Sequence, residues 1–143
     1  MSARRYPATM TVFGALLPLL VGGCARPGGS ATAVAPADLT VALGALCRAA
    51  DFARGGDLFE ARRTFQDQAH AFLHELAARG ETRARPAVAR LLEAKQRVEA
   101  ALGAGGNGAP AEVGVLLESL EVATRELAGA LDTPAPRCGR AGG

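Results

Sequence analysis

Residues 57–80 read DLFEARRTFQDQAHAFLHELAARG, and this stretch decides the fold class. Leu58, Ala61, Phe65, Ala69, Phe72 and Leu76 recur at three- and four-residue intervals. That is the period of one helix face turned toward a core. Asp57 and Glu60 are spaced as a capping box, with Asp in place of the usual Ser or Thr. Gly80 supplies a stop signal. The spacing predicts one helix from about Leu58 to Arg79.

The same period recurs on both sides of this stretch. Leu39, Ala42, Leu43, Leu46, Ala49, Ala50 and Ala53 predict a helix from Leu39 to Arg54, N-capped by Asp38. Gly55-Gly56 ends it, since glycine tolerates a left-handed cap. Pro86 suits the start of a third helix, with Val88, Leu91, Leu92, Lys95, Val98 and Leu102 as its stripe. Lys95 is read there as a snorkelling member. A fourth helix starts at Pro110 and reaches about Leu131, burying Val113, Leu116, Leu117, Leu120, Ala123, Leu127 and Leu131. No segment combines period-two alternation with a turn signal, so no sheet is expected. The expected fold is all-α, an antiparallel up-down four-helix bundle over residues 38–132 with an irregular tail over 133–143. A three-helix domain with helix 1 loosely attached is the alternative, and the Leu- and Ala-rich face of helix 1 argues against it.

Ahead of the helices, Arg4 and Arg5 precede an almost wholly apolar run from Thr11 to Val21, and Gly22 and Gly23 lead into Cys24. This is the layout of a secretory signal over residues 1–23. The run falls short of the ~20 residues a membrane span needs, and Pro18 interrupts it. Val21-Gly22-Gly23-Cys24 resembles the lipobox of bacterial lipoproteins. That resemblance implies cleavage before Cys24, a diacylglyceryl group on its sulfur, and residence on the outer face of the bacterial cytoplasmic membrane. Residues 24–37, with Pro27, Gly28, Gly29, Ser30 and Pro36, read as a flexible tether.

Without residues 1–23 the chain carries as many acidic as basic residues, because Arg4 and Arg5 leave with the signal. A neutral domain with Phe52, Phe59, Phe65 and Phe72 as its only aromatics suits neither nucleic acid nor stacked sugars. Catalytic groups are sparse: Ser30 and Ser119 are the only serines after Cys24, and Lys95 is the only lysine. Gly103-Ala104-Gly105-Gly106-Asn107-Gly108 spells G-x-G-x-x-G, but a dinucleotide site needs that motif between a strand and a helix. The expectation is a non-enzymatic module that binds a protein or small ligand and holds no resident cofactor.

One constellation stands apart. Asp67, His70 and His74 fall three and four residues apart on one helix, and the histidines are the only two in the chain. They read either as solvated residues on a polar face with Arg63 or as a metal or partner site. Two imidazoles at this spacing can chelate one ion. Asp67 would add an oxygen ligand or orient His70. Three ligands from one exposed face hold at most a transient divalent metal or copper ion, and acidification weakens it because the imidazoles must be neutral.

If Cys24 is lipidated, Cys47 and Cys138 remain, and two cysteines in an exported chain make a disulfide the default. In an up-down bundle Cys47 lies ~13 Å along helix 1, and the tail from Asp132 can reach back ~20 Å. An early helix Cys, the stretch Ala69-His70-Ala71-Phe72-Leu73-His74-Glu75-Leu76-Ala77 and a C-terminal Cys also resemble a pattern in small helical lipoproteins of actinobacteria. That resemblance implies no particular activity.

Overall fold

A computed structural model of the chain describes residues 35–103 and 108–138. The expected signal, Cys24 and all but the last residues of the tether lie outside the described residues. Five helices follow in order: α1 Pro36–Arg54, α2 Leu58–Gln68, α3 His70–Gly80, α4 Arg85–Leu102 and α5 Pro110–Ala130. The described residues contain no strand. None of these helices is long and apolar enough to cross a membrane.

α1 starts earlier than expected, inside the segment read as tether. Ala35 is the N-cap residue and Pro36 opens the helix. Pro36 loses nothing there, because its missing N–H would have no partner. Asp38 is therefore not the N-cap but a first-turn residue, where its charge meets the positive end of the helix. At the other end Gly56, at φ 86°, takes the left-handed conformation, while Gly55 stays right-handed. Asp57 caps α2 by accepting from the Glu60 N–H at 3.0 Å. Glu60 does not complete the box: the Asp57 N–H donates to the Phe52 carbonyl at 2.9 Å, and Glu60 Oε2 accepts from Arg63 at 2.7 Å.

The single helix expected over 58–79 is two. Ala69, at φ −120° and ψ −39°, separates α2 from α3. Its N–H still donates to Phe65 and its carbonyl still accepts from Leu73, each at 3.1 Å. The break thus interrupts the regular helix at one residue without stranding the Ala69 backbone groups. α2 packs chiefly on α1, whereas α3 reaches α1, α4 and α5. α3 ends at Gly80, where a stop was expected. Gly80 is buried, and an added Cβ would lie 2.7 Å from both Leu127 and Val88. Its lack of a side chain serves close packing.

α5 is central, packing on both α1 and α4. Leu39, Leu43 and Leu46 of α1, Phe65 of α2, Leu73 and Leu76 of α3, Leu91 and Val98 of α4, and Val113, Leu117, Leu120 and Leu127 of α5 are almost completely buried. Two α4 expectations change. Leu92 is 36% exposed, one position round the helix from fully buried Leu91. Lys95 is buried rather than snorkelling. After α5, Asp132 adopts φ 58°, a left-handed conformation that Asp tolerates better than most residues. The Thr133 N–H then donates to the Ala128 carbonyl at 2.9 Å, closing the helix.

Candidate functional site

The break at Ala69 makes His70 the first residue of α3, and His74 follows one turn later. Their rings meet edge to face with centroids 4.8 Å apart. The His70 ring also stands edge-on to Phe65, at 5.8 Å. His70 is half-buried at a helix–helix seam, and His74 is exposed. Across the seam, on α4, Glu99 Oε1 lies 2.8 Å from His70 Nε2 and 2.6 Å from Lys95 Nζ. With Glu99 ionised, His70 Nε2 carries the proton and donates. One carboxylate oxygen is therefore shared between an imidazole and an ammonium.

Burial pushes the Glu99 carboxyl up. Hydrogen bonds from Lys95 and then His70, with the charges of both, more than reverse this and hold it below the usual carboxylate range. The dominant partner is Lys95, itself buried.

Asp67 does not join this cluster. It sits on α2, across the Ala69 break from both histidines, and outside the group that they form with Glu99. Asp67 instead lines a groove of about 280 Å³ with Asp38, Val41, Gln68, Ala71, Phe72 and Glu75. Glu99 takes the third place: ligating atoms of His70, His74 and Glu99 all lie within 4.8 Å of one another. A metal drawing on Glu99 Oε1 would compete with the His70 and Lys95 hydrogen bonds and meet the repulsion of a nearby ammonium. Lys95 and Glu99 were detectable as a lone lysine in an apolar stripe with an acid one turn later. Their link to His70 was not, because it depends on how α3 packs against α4.

The structure joins Cys47 and Cys138 in a disulfide with Cα atoms 6.0 Å apart. It pins the tail across α1, and Glu121 of α5 approaches both sulfurs. Glu121 Oε2 accepts from Arg125 at 2.8 Å, whereas Glu121 Oε1 and Arg125 Nε are buried with no hydrogen-bond partner among the described residues.

Comparison of the chain with protein-family models, with curated proteins and with solved structures finds no match to any of them.

Proposed function

We propose that this chain is an extracytoplasmic lipoprotein, anchored through a lipid on Cys24, whose helical domain binds a partner without catalysing a reaction. In this reading α2 and α3 form one broken arm of an antiparallel up-down four-helix bundle. Packing of α1 on α2 and α5, and of α4 on α5, supports that arrangement. The lipobox ending supports the anchor, and the Cys47–Cys138 bridge suits an oxidising compartment.

The observation that carries the binding reading is the groove between α1 and the α2–α3 arm. Asp38, Asp67 and Glu75 line it together with Val41, 57% exposed, and half-buried Phe72. A few placed charges around apolar surface suit a cationic, partly apolar ligand or peptide segment. The test is a photoreactive side chain at Val41 in the full chain on cells, with Val122 of α5 as the comparison site. A discrete adduct from Val41 and none from Val122 is expected, and no adduct from Val41 overturns the reading. Cys24→Ala should abolish incorporation of a fatty-acid probe; unchanged labelling would remove the anchor.

Metal binding at His70 and His74 is the second reading, favoured by Glu99 completing a three-ligand set. Lys95 makes it the weaker one.

A further inference from the structure

The Cys47–Cys138 bridge has a neighbour that a purely structural disulfide does not need. Glu121 is 6% exposed, and one of its carboxylate oxygens lies within 4.8 Å of both sulfurs. Its Oε1 is buried and has no hydrogen-bond partner among the described residues. A disulfide offers that carboxylate no proton, whereas a dithiol brings two S–H groups near it. The carboxylate is thus placed to take a proton from the reduced pair. The two sulfurs are also unequal, since Cys138 is exposed on the tail and Cys47 is half-buried in α1. A groove of about 340 Å³ opens onto them, lined in part by Arg48, Asp51 and Arg137. Its two guanidinium groups outnumber its one carboxylate, which favours an incoming anionic thiolate.

We infer that Cys47 and Cys138 form a thiol–disulfide exchange site in which Glu121 accepts the proton of Cys47, the co-reactant being an external thiol or its disulfide. In the oxidative direction the Cys138 thiolate attacks an external disulfide RSSR. A Cys138–SR bond forms, the S–S bond of RSSR breaks, and one RS⁻ leaves with its electron pair. The Cys47 thiol passes its proton to the Glu121 carboxylate and attacks Cys138 Sγ. The protein disulfide forms, the Cys138–SR bond breaks and the second RS⁻ leaves. The Glu121 proton and the proton lost by Cys138 end on the two RS⁻ groups. The dithiol has lost two electrons and RSSR has gained them, giving two RSH. Reduction is the same path reversed, with attack on exposed Cys138.

Glutathione and its disulfide serve as the probe, with the full chain reduced, mixed with the disulfide, acid-quenched, alkylated and mapped by mass so that Cys24 is read separately. Cys47→Ser should stop at a glutathione adduct on Cys138. Glu121→Gln should slow closure of that adduct roughly 10-fold or more at pH 7, the range of a lost general base. The deficit should shrink as pH passes about 8.5, where a free thiol ionises unaided. Glu121→Asp should recover part of the rate. Independently of any variant, wild-type closure should fall less than tenfold per unit between pH 8 and pH 6. A strict tenfold fall per unit, a Glu121→Gln rate equal to wild type, or a folded protein whose bridge never exchanges with glutathione would each overturn the inference.

Discussion

Lys95 Nζ lies 2.6 Å from Glu99 Oε1, and the side chains are 5% and 32% exposed. The only lysine in the chain is thus an interior ammonium held by a carboxylate at the edge of solvent. His70 donates to the same oxygen from α3, so this pair ties two helices as well as two turns of α4.

Removing the carboxylate alone should be costly. Glu99→Gln leaves the Lys95 ammonium without an anionic partner and should destabilise the protein by about 1–3 kcal/mol. Adding Lys95→Met should recover most of that, because replacing both members of a buried pair is often close to neutral. Urea unfolding of the single and double variants checks both. A double variant less stable than Glu99→Gln would contradict the account.

The same pair predicts a pH dependence. The folded Glu99 carboxyl is held below its ordinary range, so its stabilisation is fully present above the unfolded value of about 4.3. It is lost as pH falls through the lower folded value. The stability gap between wild type and Glu99→Gln should therefore close on acidification below about pH 4. A gap that persists unchanged at pH 3 is the contrary outcome.

Gly80 and Gly129 should respond to alanine in opposite directions. At Gly80 the new Cβ meets Leu127 and Val88 at 2.7 Å, and overpacking of this kind costs about 1–3 kcal/mol. At Gly129, near the end of α5, nothing lies within 4 Å. Alanine there should stabilise by roughly 0.5 kcal/mol through lost unfolded-state freedom. Thermal unfolding of the two variants separates the packing role from the conformational one, and a shared sign would show the distinction false.

The bridge between Cys47 and Cys138 spans 91 residues in sequence. Cys138→Ser should cost about 4–5 kcal/mol in the chain-entropy description. Denaturation of the oxidised protein beside the variant measures it, and coincident midpoints would show that the closed loop contributes nothing.

Metal titration distinguishes the two readings of the histidines. Calorimetry with Zn(II) or Cu(II) should show weak binding that His70→Ala/His74→Ala abolishes and acid weakens. Asp67→Asn should leave it unchanged, since Asp67 lies outside the cluster of His70, His74 and Glu99. Lys95→Met should tighten it by removing a repelling charge. Binding that depends on Asp67 and ignores Lys95 would overturn the assignment.

The helical class and most helix ends were written in the sequence, because a helix is closed by contacts between residues three and four apart. The stripes of Leu39 to Ala53 and Val113 to Leu127 needed only that local period, and Pro110 opens α5 as its missing N–H allows. The Cys47–Cys138 pair was reached by counting cysteines and measuring the reach of the tail. Only the tertiary structure decided the break at Ala69, a residue of high helix propensity with no local reason to interrupt a helix. Beyond it α3 meets α4 and α5, His70 joins Glu99, and Asp67 lines a separate groove. The burial of Lys95, the sharing of Glu99 with His70 and the bare oxygen of Glu121 all depend on residues far apart in sequence. Such contacts are set by which faces pack, and periodicity along one helix says which face is apolar but not which neighbour covers it.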